Sequence, residues 1–143
     1  MQQVLQEALA RYEEDLIAFT KALIAIPTEN PPGVAYRACA DLLAQKLDEI
    51  ELEYSIVEVP AAADLASQSS DPGYCLLGSY GTGENVLYFH GHYDVVPAVD
   101  PAQFRSYVKR SNLFGRGSSD MKGGLAAMIG AIRAIKALSL IHI

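Results

Sequence analysis

Val86-Leu87-Tyr88-Phe89-His90-Gly91-His92-Tyr93-Asp94-Val95-Val96-Pro97 is the stretch on which the reading of this chain turns. Its first four residues are β-branched or aromatic and carry no charge, which predicts a buried strand. Residues two apart on extended backbone point the same way, so Asp94 reaches the back of the His92 ring if the chain stays extended. A carboxylate on one imidazole nitrogen fixes the tautomer and leaves the other nitrogen for a metal ion. Gly91 permits a close backbone approach just before the histidine. The bare triplet also fits a surface histidine beside a solvated aspartate. The hydrophobic strand ahead and Val-Val-Pro behind place it at the C-terminal end of a strand, where open α/β sheets bind ligands.

A second stretch follows downstream, Gly115-Arg116-Gly117-Ser118-Ser119-Asp120-Met121-Lys122-Gly123-Gly124. Asp120 stands after a Gly-rich turn and before a helical pattern. One aspartate has two oxygens and is able to bridge two cations. Capping of the helix by Ser119 or Asp120 is the alternative. The two stretches together favour a metal site built from His92 and Asp120, with Asp94 behind His92. Arg116 is read as structural, its guanidinium on a carboxylate or a backbone carbonyl, with recognition of a substrate carboxylate as the second reading.

Composition limits the function classes. The 143 residues are half hydrophobic and one-fifth charged, ordinary for one modest globular domain. A net charge of −6 gives nucleic-acid binding no electrostatic support. No apolar run is long enough to span a membrane, and the N-terminus lacks the features of a signal peptide. Cys39 and Cys75 read as isolated small buried hydrophobes, which suits a reducing, cytoplasmic setting.

The rest of the chain supplies an α/β frame. Leu5, Leu9, Tyr12, Leu16, Phe19, Leu23 and Ile26 predict one long amphipathic helix over residues 4–26, ended by Pro27. A loop over Thr28–Gly33 leads to a second helix near residues 34–50, with Cys39, Leu43, Leu47 and Ile50 inward. Strands are predicted near 53–59, 74–80 and 86–91, with a surface loop over 61–73. Gly81-Thr82-Gly83 lies between strands, which argues against a phosphate loop. A short hairpin is expected around Arg110-Ser111. The last helix, residues 121–138, is expected to turn Met121, Leu125, Met128, Ile132 and Ile135 inward, its glycines packing close to the sheet. Residues 139–143 read as a non-native tail, and His142 is not taken as a ligand.

The two stretches, with Ile24-Ala25-Ile26-Pro27-Thr28-Glu29-Asn30-Pro31-Pro32-Gly33, resemble the dizinc aminoacylase and carboxypeptidase family that includes acetylornithine deacetylase and succinyl-diaminopimelate desuccinylase. The resemblance implies a three-layer α/β sandwich with a mixed, mostly parallel sheet. It implies two divalent metal ions, zinc first and cobalt or manganese next, and hydrolysis of an amide in an N-acyl amino acid or small peptide. Carried over by position, His92 ligates one metal, Asp120 bridges both, and Asp94 orients His92. A cis peptide is implied between Asp120 and Met121. The family's general base, a glutamate after the last helix, has no counterpart here; Glu84 and Asp100 do not fit the pattern. Residues 1–138 are therefore expected to be the N-terminal part of a catalytic domain, inactive alone, of a homodimeric parent. A related dizinc aminopeptidase and a non-enzymatic α/β module remain as alternatives.

Overall fold

A computed structural model of the chain describes residues 2–60 and 72–138. The N-terminal segment forms two helices rather than one, α1 (Gln2–Ala10) and α2 (Glu13–Ala25). The end of α1 tightens, with the Tyr12 amide donating to Leu9 O at 3.0 Å. Glu13, Glu14 and Asp15 then open a new first turn, where carboxylates favour the positive end of a helix. The break also shifts the expected stripe: Leu9 is exposed and Ala8 is buried instead, while Phe19 and Leu23 of α2 face inward as the period predicts.

Helix α3 (Tyr36–Glu49) turns Cys39, Leu43 and Leu47 inward, and Ile50 follows them into the core. It packs on strands β1 (Glu53–Val59) and β2 (Gly73–Ser79). These strands pair antiparallel, from Glu53 opposite Ser79 to Val59 opposite Gly73. The core joins Phe19 and Leu23 of α2, the inner face of α3, Leu52, and Ala126 and Ile129 of helix α4 (Gly123–Ala137). Strands β3 (Tyr107–Lys109) and β4 (Asn112–Phe114) form the expected hairpin. Its turn residues Arg110 and Ser111 both have positive φ, the two-residue turn whose twist suits paired strands.

The α/β class holds, but the sheet differs from expectation. Ladders among the described residues are antiparallel, and parallel contact is limited to one bridge between Glu29 and Val95. Residues 86–91 form no ladder, and Val86, Leu87 and Tyr88 are exposed rather than buried. Strand propensity alone does not make a strand; its amides and carbonyls need a neighbouring strand, and none lies alongside among the described residues.

Helix α4 also turns a different side inward. Ala126, Ile129, Gly130 and Ala134 are its buried residues, while Met121, Leu125 and Ile132 flank them. Small residues win this face because α2 comes very close: a Cβ on Gly130 would stand 2.7 Å from Leu16 Cδ1. The close approach is therefore to a helix, not to the sheet. Cys75 is exposed, whereas Cys39 is buried, and burial pushes the Cys39 thiol up to about 11. Both are free thiols. The surface loop expected over 61–73 falls mostly outside the described residues, and so do residues 139–143 with His142.

A charge cluster ties three helices together. The buried Lys46 ammonium of α3 donates to both Asp15 oxygens, at 3.0 and 3.1 Å, and to Glu49 at 2.6 Å. Arg133 of α4 donates to Asp15 at 2.6 Å and stacks over the Tyr12 ring. The hydrogen bond from Lys46 is the chief reason that the Asp15 carboxyl lies below its ordinary 3.8. A depressed carboxyl contributes stability above the unfolded value and loses it as pH falls through the folded one. We expect Asp15→Asn to cost about 1 kcal/mol at pH 7 by urea unfolding, a modest figure because Asp15 is part-exposed. The gap between wild type and variant should close as the pH is taken below 3.8.

Candidate functional site

Two loops and a turn meet at one cavity of about 510 Å³, lined by Asn30, His92, Asp94, Arg116, Ser119 and Asp120 among others. The loop after α2 is strapped to the His92 segment by backbone bonds. Val95 N donates to Thr28 O and Asn30 N to Val95 O, each at 2.8 Å. The Thr28 hydroxyl, fully buried, donates to Tyr93 O. Glu29 accepts from Ala98 N at 2.6 Å. This strap keeps residues 92–95 extended without a sheet ladder.

Extended backbone sends alternate side chains to opposite sides. Tyr93 turns towards β2, where its hydroxyl donates to Tyr74 O at 2.8 Å. Burial pushes the Tyr93 phenol up to about 12. His92 and Asp94 turn the other way. His92 Nδ1 lies 3.1 Å from Asp94 Oδ1 and also 3.1 Å from the Asp94 carbonyl oxygen. His92 Nε2 faces Asp120 Oδ1 at 3.2 Å. The sequence-predicted residues are therefore brought together.

Burial is the largest single influence on His92 and pulls its pKa down. The Asp94 carbonyl and carboxylate, and then Asp120, together outweigh it, so the imidazole holds its proton above the ordinary 6.5. Asp120 does not cap α4, whose first residue has no side-chain cap. The Asp120 backbone is extended at φ −132°, and the Asp120–Met121 peptide is cis, the form that the resemblance implies.

Glycines make the convergence sterically possible. Gly117 has a φ of +78°, and a Cβ there would stand 2.6 Å from Val95 Cγ1. A Cβ on Gly91 would meet Leu125 of α4 and Met121 of the turn before it at 2.7 and 2.8 Å. Arg116 donates to Pro97 O at 3.4 Å and Gln103 Oε1 at 3.3 Å, contacts that suit its structural reading. Asp100 accepts from Ala102 N at 2.8 Å and caps a short 3-10 turn, and Glu84 lies exposed.

The donors suit a divalent ion. Two ligands on one tetrahedral zinc ion, at bonds of about 2.0–2.2 Å, lie about 3.4 Å apart. The 3.2 Å between His92 Nε2 and Asp120 Oδ1 is close to that spacing. No cluster of three or more His, Cys, Asp or Glu side chains suited to a metal occurs among the described residues.

Residues 88–142 match Peptidase family M20/M25/M40. They belong to that family. A probable succinyl-diaminopimelate desuccinylase of Staphylococcus epidermidis is 33% identical over 129 residues, covering 87% of this chain and 29% of the relative. An N-formyl-4-amino-5-aminomethyl-2-methylpyrimidine deformylase of Halalkalibacterium halodurans is 28% identical over 148 residues, covering 96% of this chain and 33% of the relative. The chain thus spans about a third or less of the length of these curated relatives. The crystal structure of human carnosine dipeptidase 1 shares the fold, with a TM-score of 0.82 at 22% identity over 97% of this chain and 32% of that one.

Within this M20/M25/M40 segment, Lys122 carries a role that the sequence reading missed. It is fully buried, and its ammonium donates to Leu23 O at 2.8 Å and Ile26 O at 2.6 Å. Its signal was a charged residue inside a Gly-rich run at the start of an apolar helix. Asn30, whose amide donates to Asp94 Oδ2 at 3.1 Å, carries no signal in the sequence beyond its place in a Pro-rich loop. Since Val95 is buried and short-branched, it has little room to yield to a side chain at position 117. Gly117→Ala should therefore cost about 2 kcal/mol in urea unfolding, from crowding and a φ that alanine disfavours. An unchanged midpoint would mean that the turn is looser than its contacts imply.

Proposed function

We propose that this chain contributes part of a dimetal centre that hydrolyses an amide bond in an N-acyl amino acid or small peptide. The observation that carries the reading is the His92 ring held between two carboxylates, Asp94 at Nδ1 and Asp120 at Nε2. The names of the relatives add support: a desuccinylase, a deformylase and a dipeptidase all point to amide cleavage.

Each residue has a distinct task in this reading. Asp94 keeps the His92 proton on Nδ1, which leaves the Nε2 lone pair for one ion. Asp120 offers Oδ1 on the His92 side, and its side chain, 86% exposed, leaves the second oxygen open to another ion. Bound divalent ions, zinc foremost, would polarise the amide carbonyl and lower the pKa of a bound water. Tyr107, Phe114, Gln103 and Arg105 give the cavity a mixed apolar and polar wall, and its size suits a small-molecule ligand.

His92 and Asp120 are two protein ligands, whereas a catalytic zinc ion commonly has about three. The reading therefore assigns the remaining ligands and the general base to residues outside these 143. By itself the chain then turns over no substrate. Two free cysteines suit a reducing, cytoplasmic compartment, and homodimerisation of a longer parent rests on the resemblance alone. No helix among the described residues is long and apolar enough to cross a membrane.

Zinc titration calorimetry on the chain tests the site. His92→Ala and Asp120→Asn should each abolish detectable zinc binding, and Asp94→Asn should weaken it roughly 10- to 100-fold. His90→Ala, on the exposed segment ahead of the site, should leave it unchanged. Equal binding by wild type and the His92 variant would favour a non-enzymatic α/β module.

A further inference from the structure

The contacts behind His92 extend one residue further than the sequence pattern reaches. Asp94 presents its carbonyl oxygen and its carboxylate Oδ1 to His92 Nδ1, each at 3.1 Å, and Oδ2 to the Asn30 side-chain amide, also at 3.1 Å. Asn30 is itself fixed from below, because its backbone amide donates to Val95 O at 2.8 Å. The same register sets Val95 N on Thr28 O, in the isolated parallel bridge between Glu29 and Val95. Asn30 therefore stands on a short two-sided strap whose other side is the backbone directly after Asp94.

We infer that Asn30 is a positioning residue for the metal site: it holds the Asp94 carboxylate in the rotamer that keeps the His92 proton on Nδ1 and aims Nε2 at Asp120. A carboxylate rotates about its last bond unless both oxygens are engaged. Asn30 engages the oxygen that His92 leaves over, and an amide N–H is the donor needed there. Asparagine also meets this need without adding charge, so Asp94 keeps its full negative charge for the imidazole. A lysine at this place would compete with His92 for that charge, and an aspartate would repel it.

The inference rests on the proposed metal site, and the experiment separates the two. The ring nitrogens of His92 are read by long-range ¹H–¹⁵N correlation in the metal-free chain at about pH 9, where an ordinary imidazole is neutral. Zinc affinity and thermal midpoint are measured on the same samples of wild type, Asn30→Ala and the isosteric Asn30→Asp. The expected result is a single Nδ1–H tautomer in wild type and a mixed population in both variants. With it should come at least a roughly tenfold loss of zinc affinity and little change in midpoint. Variants that keep both the wild-type tautomer and the wild-type affinity overturn the inference. So does a fall in midpoint with the tautomer unchanged, which would make Asn30 a loop clamp only. If wild type binds no zinc while the variants still lose the tautomer, the metal reading fails and the positioning role stands.

Discussion

A lysine ammonium inside the protein governs how the site is assembled. Lys122 is fully buried, and its partners among the described residues are the carbonyl oxygens of Leu23 and Ile26 at the end of α2. Helix C-termini leave carbonyls without intrahelical donors and carry the negative end of the dipole, so a cation is well placed there. Burial pulls the Lys122 pKa below its ordinary 10.5, which measures the cost of taking the charge out of water. The return is positional. One side chain fixes the turn that carries Asp120 against the helix from which the Thr28–Asn30 loop departs.

That loop fixes the other half of the site. Two backbone bonds between Thr28, Asn30 and Val95 hold the His92 segment extended, and alternation then does the sorting. Tyr93 goes inward to Tyr74 and Tyr36, while His92 and Asp94 go outward to Asp120. Hence α2 is common to both halves: Lys122 grips its last turn, and the strap begins three residues later. Three segments distant in sequence reach one cavity because each is referenced to the same helix end.

The sequence was most legible where one local rule decides the outcome. The Arg110-Ser111 turn, the inward face of α3 and the facing of His92 and Asp94 follow from turn chemistry and periodicity. Legibility failed where a neighbour decides. Val86–Phe89 has the composition of a buried strand but lies exposed, because pairing needs a partner that composition does not reveal. Periodicity of the large residues does not give the inner face of α4, because the close approach of Leu16 selects small residues there, Gly130 beside Ala126 and Ala134. Lys122 and Asn30 were missed for a related reason. Their roles depend on carbonyl and carboxylate oxygens roughly 60 to 100 positions away, and no short-range pattern encodes such a distance.

The two carboxylates on either side of His92 show how surroundings divide the work between like groups. Asp94 has both oxygens engaged, one by the imidazole and one by Asn30, and its side chain is 37% exposed. Asp120 has one oxygen turned to His92 and is 86% exposed. A carboxylate with both oxygens held is suited to orienting a ring; one with an oxygen free and open to water is suited to taking up a cation. The motif letters are the same at both positions. The assignment of orienting and ligating roles therefore comes from the strap at Asn30 and the Gly-rich turn at Asp120, which among the described residues give one aspartate two side-chain partners and the other one.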